Sequence, residues 1–167
     1  MKTIETERLI LNLSSLSDVE FYLELYNSPK FIEYNGDRNL RTLEQTEDYI
    51  KERFLPYIEQ NGFGNYTVEL KDGGKKIGSV GIFVREGIPI PDIGFSFLDD
   101  FIGKGYAYEA AKKLLEVGRS TFGLKNISAL TTDENLASQK LIERLGLKFI
   151  RYSDFPGSDV QLRYYEI

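Results

Sequence analysis

Residues 101–116 read FIGKGYAYEAAKKLLE, and the rest of the chain can be ordered outward from them. Ile102, Gly103, Lys104, Gly105, Tyr106 and Ala107 form a short glycine-punctuated turn, and from Tyr106 onward the residues are good helix formers with alanines along one side. A helix that opens from such a turn leaves its first backbone N–H groups unpaired. Those groups, with the positive end of the helix dipole, attract an anion. Lys104 adds a full positive charge. The turn is therefore a phosphate site or an ordinary strand-to-helix connection. A Gly-x-Gly pair does not decide between them, because the chain holds 15 glycines and repeats the pattern at Gly62 and Gly64.

Composition narrows the chemistry. A chain of 167 residues is read as one domain, residues 1–167, large enough to bury a core without staples. It has no cysteine and no histidine, which removes disulfides, thiolate and imidazole metal sites, and the Ser-His and Cys-His nucleophiles; no metal is expected. Carboxylates, Ser, Tyr, Lys and backbone groups remain. With 21 Lys+Arg against 26 Asp+Glu, the net charge of -5 argues against nucleic acid and anionic membrane as partners and favours a cationic acceptor. The opening MKTIETERLILNL has no long apolar run, so a cytoplasmic monomer or homodimer is expected.

On the C-terminal side of the turn, the helix runs to about Phe122 with Gly123 as its C-cap. A buried strand at 126–131 follows, then the helix NLASQKLIERLG from Asn135 to Gly146, and strands at 147–152 and 160–167 that form a hairpin across DFPGSD. On the N-terminal side, IPDIGFSFL lies in a strand at 89–98 with Asp92, Gly94 and Ser96 on one face and Ile93, Phe95 and Phe97 on the other. Strands at 66–70 and 76–85 precede it, joined by KDGG. Further back are a strand at 8–13, a helix capped by Ser17 and Glu20 that Ser28-Pro29 ends, and a loop at 30–41. A helix capped by Thr42 and Gln45 then runs to about Gln60, with a kink at Pro56. The order βααβββαβαββ describes an α+β domain with a mixed, mostly antiparallel sheet flanked by helices. The crossover helix makes the strands at 89–98 and 126–131 parallel.

No Walker A string occurs, and a dinucleotide fingerprint needs glycine where Tyr108 stands. DIGFSFLDDFIGKGYAYEAAKKLLE followed by NLASQKLIERLGLKFI instead resembles the GCN5-related N-acetyltransferase family, and within it the branch of ribosomal-protein alanine N-acetyltransferases. The resemblance spans nearly the whole chain. It implies that the backbone of the turn, Ile102, Gly103, Lys104, Gly105, Tyr106 and Ala107, holds the pyrophosphate of acetyl-CoA. Ile102 departs from the polar residue the family places first. It further implies that the strand at Phe95 and Phe97 pairs with the pantetheine arm, that a backbone N–H near Phe97 or Leu98 polarises the thioester carbonyl, and that Asn135 contacts the cofactor. Ser138, one turn into that helix, is the candidate acid for the departing thiolate, since Ile142 stands where much of the family has Tyr.

Without a Cys or an activated Ser, direct attack by the acceptor amine is the simpler route, and the amine must lose a proton. Asp92, on the small-residue face of its strand, is the first candidate base; Glu33 and Glu86 are weaker ones. Phe31 and Tyr34 are candidates for acceptor binding. The expected activity is acetyl-CoA-dependent acetylation of a primary amine, either a protein N-terminus or a small molecule. A sensor or interaction module that keeps the acyl-CoA cleft without turnover is the alternative.

Overall fold

Glycine is required at the central turn: Gly103 and Gly105 have φ of +80° and +83°, where a side chain is strained. From there helix α5, Tyr106–Ser120, lays Ala110, Ala111 and Leu114, all fully buried, against the sheet. The structure, a computed structural model, describes residues 1–155 and 159–167.

The elements in chain order are β1 (Thr3–Glu5), β2 (Leu9–Leu13), α1 (Val19–Tyr26), α2 (Pro29–Asn35), α3 (Leu43–Tyr49), α4 (Leu55–Asn61), β3 (Asn65–Leu70), β4 (Lys76–Arg85), β5 (Ile88–Phe97), α5, β6 (Ser128–Thr131), α6 (Leu136–Arg144), β7 (Lys148–Ser153) and β8 (Leu162–Glu166). They build one sheet in the order β1-β2-β3-β4-β5-β6-β8-β7. Every pair is antiparallel except β5 and β6, which run parallel as the crossover helix requires. The sequence reading of a mixed, mostly antiparallel α+β sheet holds, and so does the face assignment in β5. Asp92 pairs with Phe83 and Ser96 with Ser79, while Phe97 pairs with Gly78 on the other face.

Several expectations are corrected. Strand β1, paired with β2, is too short for an alternation pattern to announce it. The first cap is Ser15 with Asp18, not Ser17 with Glu20. Ser15 is extended and its side chain accepts from the Ser17 N–H, opening a 3-10 turn at Leu16–Asp18 ahead of α1. Ser28 and Pro29 do end α1, but Pro29 then opens α2 as its first residue, where its missing N–H costs nothing. Much of the expected loop at 30–41 is thus helix, and Phe31 and Tyr34 lie on it. Pro56 perturbs its helix through the preceding turn: Ile50–Phe54 is π-helical, because proline offers no N–H to the residue four back and its ring crowds that carbonyl. Helix α5 stops at Ser120, and Gly123, at φ +70°, lies beyond its C-cap Thr121. The hairpin of β7 and β8 forms as expected, although Pro156, Gly157 and Ser158 of its connection lie outside the described residues.

Two apolar clusters result. One lies between the sheet and α5 and α6, and includes Ile82, Ile93, Leu114 and Ile142; the other joins α1–α4 around Tyr22, Leu25 and Ile50, and takes in Leu98. Among the described residues no helix is long and apolar enough to cross a membrane.

Candidate active site

The turn after β5 presents an open rank of donors. Among the described residues, the first N–H in it with a backbone partner is that of Glu109, which donates to Gly105 O at 3.0 Å. The N–H groups from Gly103 to Tyr108 have none. No side chain caps this helix, and a Cβ built at Gly103 meets nothing within 4 Å. Ile102 is 46% exposed and offers no polar contact. An anion at this helix N-terminus would meet backbone donors alone, with Lys104 close by.

The turn is braced from below by residues that no local pattern pointed to. Glu109 accepts from the Thr6 hydroxyl at 2.6 Å, the Arg8 amide at 2.8 Å and Arg8 Nε at 2.7 Å. Arg8 reaches on to the Lys104 carbonyl at 3.1 Å, and its guanidinium lies 4.4 Å from the centre of the Tyr106 ring. Burial alone would push the Glu109 carboxyl up, but the Thr6 hydroxyl, the Arg8 amide and the Arg8 guanidinium outweigh it and hold it below the usual glutamate value.

Between the turn and the sheet centre, β5 and β6 part company. They pair only at Asp92 and Ser128, where the Ser128 hydroxyl donates to Ile90 O at 3.0 Å. Beyond that point the β6-facing edge of β5 is open. Leu98 N–H is not available on it, since it donates to Ile77 O of the β4 side at 2.9 Å. That corrects half of the expected carbonyl-polarising pair. Alternation then turns the Phe97 N–H, and that of Phe95, toward the gap. Leu98 contributes a buried side chain to the helical core instead.

A cavity of about 1100 Å³ opens beside this gap. It brings together Asp92, Phe95, Asn135 and Ser138 with Phe31 and Tyr34 from α2. Residues 102–107 lie off the C-terminal end of β5, outside this cavity. Asp92 is 4% exposed and accepts from Arg85 Nε at 2.6 Å. Burial pushes its carboxyl above the usual aspartate value, although the Arg85 charge and hydrogen bond work against the shift. Asn135 caps α6, its side-chain oxygen accepting from the Ser138 N–H at 3.1 Å, and Ile142 is buried beneath. Glu33 lines the cavity but is paired with Lys30 at 3.6 Å, and Glu86 lies exposed at the β4–β5 turn, outside the lining.

Sequence reasoning missed Arg85, Arg38, Arg53, Tyr26, Tyr57 and Asn65, which also line the cavity. For Arg85 the turn gives no signal: a two-residue turn at Glu86-Gly87 pairs Arg85 with Ile88 and, continued, would set Asp92 opposite Gly81, whereas a register shift between Phe83 and Arg85 brings Asp92 opposite Phe83 and so toward Arg85.

The family profile of the acetyltransferase (GNAT) domain matches residues 8–148. The chain belongs to the GNAT acetyltransferase family. An uncharacterized N-acetyltransferase of Bacillus subtilis, YoaA, is 27% identical over 146 residues, covering 87% of this chain and 82% of its own. A GNAT-family acetyltransferase from Bacillus anthracis superposes with a TM-score of 0.81 at 25% identity, covering 99% of this chain and 97% of that one. The microcin C7 self-immunity acetyltransferase MccE, solved with acetyl-CoA and AMP, has a TM-score of 0.80 at 18% identity, with 97% and 93% covered. The chain is thus an acyltransferase of the GNAT family. Among the described residues no group of acidic side chains could hold a metal ion.

Proposed function

We propose that this GNAT protein transfers an acetyl group directly from acetyl-CoA to a primary amine, with Asp92 as the base and Ser138 as the acid. The observation that carries the reading is the gap between β5 and β6, which opens at Asp92, leads toward the unpaired donors of the Gly103–Gly105 turn and borders the cavity that holds Ser138. Acetyl-CoA supplies an activated thioester. The backbone N–H groups from Gly103 to Ala107 hold its pyrophosphate, the edge of β5 at Phe95 and Phe97 pairs with the pantetheine arm, and Asn135 borders the same space.

Asp92 takes the proton from the acceptor ammonium, directly or through one water, and frees the nitrogen lone pair. A carboxyl held above its usual range by burial is better matched to that task than a solvated one. The Phe95 N–H, which faces the gap between the mouth and Asp92, receives the negative charge that builds on the thioester oxygen as the C–N bond forms and the C–S bond breaks, since Phe97 lies at the mouth roughly 17 Å along the strand from Asp92. Ser138 passes a proton to the departing sulfur and regains, through solvent, the second proton that the acetylated nitrogen releases, so the products are an N-acetyl amine and free CoA thiol. Arg85 holds the Asp92 carboxylate in place. No covalent acyl-enzyme enters this scheme.

The test has two stages. Acetyl-CoA at one hundred times its dissociation constant should stabilise the fold by about 2.7 kcal/mol, read as a thermal shift. Free-thiol release with an amine panel then reads turnover. A shift without release from any amine would refute catalysis and leave only an acyl-CoA-binding module.

A further inference from the structure

The helical wall of the cavity carries positive charge that the protein does not neutralise. Arg53, in the π turn before α4, makes no ion pair or hydrogen bond among the described residues, and Arg38 is held only by Asn35 O at 2.6 Å and by the Phe31 ring. Both line the cavity. The other charges there are largely committed: Arg85 to Asp92 and Glu33 to Lys30. Glu134 is the exception, at the opposite end beside α6. Over the whole lining three arginines balance Glu33, Asp92 and Glu134, so in a chain of net charge -5 the positive field is local to the Arg38 and Arg53 end of the cavity.

Two donors carried by largely buried residues face the same space. Asn65 is 9% exposed and lines the cavity. Its oxygen accepts from the Ser79 hydroxyl at 3.3 Å, while its NH2 has no partner among the described residues. Tyr26, 8% exposed, likewise has a hydroxyl without a hydrogen bond, and burial pushes it well above its usual range, so that it stays a neutral donor. Neither donor atom is sealed from the cavity, since neither is among the buried side-chain atoms without a partner, and a ligand oxyanion there can accept from them and from a guanidinium group. The lining also includes the aromatic residues Tyr34, Tyr57 and Phe83.

We infer that the acceptor is a small amine that also bears an anionic group, carboxylate or phosphate, on an apolar or aromatic body. The anion is taken by Arg53 and Arg38, and the amine is directed to Asp92. The inference rests on the acetyl-transfer reading above and departs from the preference for a cationic acceptor drawn from net charge. A peptide N-terminus has no anion at a fixed distance from its amine and is the competing outcome.

Matched pairs test it with the full chain and acetyl-CoA, scored by thiol release. Suitable pairs are L-phenylalanine with its amide, L-leucine with its amide, and 2-aminoethyl phosphate with ethanolamine, beside an alanine-initiated peptide amide. The anionic member of the carboxylate or the phosphate pairs should be preferred roughly ten- to a hundredfold in kcat/KM, and which pairs respond tells the two anions apart. Arg53→Gln and Arg38→Gln, both at exposed positions and checked for folding by circular dichroism, should narrow that ratio at least about tenfold, mostly through KM, and Arg53→Lys should restore part of it. Equal rates for neutral and anionic members, preference for the peptide, or a ratio that survives both substitutions overturns the inference. If acetyl-CoA raises the melting temperature but no anionic amine is acetylated, the inference falls while acetyl-CoA binding stands; without that shift, the acetyl-transfer reading falls as well.

Discussion

Glu109→Ala tests whether the brace beneath the turn matters. The carboxylate accepts three short bonds that tie Thr6 and Arg8, near the N-terminal end of β2, to the first turn of α5. The bonds from the Thr6 hydroxyl and the Arg8 amide are each worth about 1 kcal/mol net. The guanidinium arm is 43% exposed on the Arg8 side, so solvent screening reduces it to about 0.5 kcal/mol. The expected loss is about 2.5 kcal/mol, or a fall of roughly 5–10 °C in Tm for a chain of this size. Because Arg8 also holds the Lys104 carbonyl, acetyl-CoA should bind roughly three- to tenfold more weakly as the turn loses its preorganisation. Denaturant unfolding and calorimetric titration read the two effects. The sign with pH follows from the carboxyl being held below its ordinary 4.5: its stabilisation is full above 4.5 and is lost as pH falls through the lower folded value. The gap between wild type and Glu109→Gln should therefore close on acidification. A loss under about 0.5 kcal/mol with unchanged acetyl-CoA affinity refutes the brace.

Asp92→Asn should lower kcat/KM roughly 10²- to 10⁴-fold with acetyl-CoA affinity kept. In the wild type, activity should fall on acidification through a pKa above the ordinary aspartate 3.8, an acidic limb that the variant lacks; a limb unchanged in Asp92→Asn rules the residue out as base. Since folding favours the protonated form of this carboxyl, its contribution to stability should decline as pH rises from 3.8 through the folded value, seen by comparing unfolding of the two proteins across that range. Ser138→Ala should slow turnover about tenfold or more without weakening acetyl-CoA binding, and equal loss of both would assign Ser138 to binding. Gly78→Ala should cost about 2–3 kcal/mol, because its Cβ would stand 2.4 Å from the Phe97 ring; an unchanged denaturation midpoint would show that the ring yields freely.

Much of this was legible in the sequence because it is local. The Gly103 and Gly105 turn, the Thr42 and Gln45 cap, the alternation in β5 and the Asn135 cap each declare themselves within a few residues, and the crossover helix dictates the parallel pair. What was hidden is long-range or registers in pairs. Thr6 and Arg8 meet Glu109 about a hundred positions away. Leu98 N–H is consumed by a strand neighbour that periodicity cannot name. Helix α2 was lost to Pro29, which reads equally as a stop and as a start. Arg53 faces the cavity from a π turn whose extra residue shifts the side chains that follow it, so a 3.6-residue wheel cannot place them.

The single strand pair at Asp92 and Ser128 has one more consequence. It is the closed end of a wedge whose mouth is the turn, and between Asp92 and Phe97 the edge of β5 advances roughly 17 Å. On the reading proposed here, that edge is a gauge. The carrier arm is measured against fixed backbone from the mouth inward, and the acyl group is left facing an apex that cannot lengthen without breaking the one pair that joins the halves of the sheet. Tolerance for longer acyl chains is then set by main-chain pairing rather than by the bulk of any side chain.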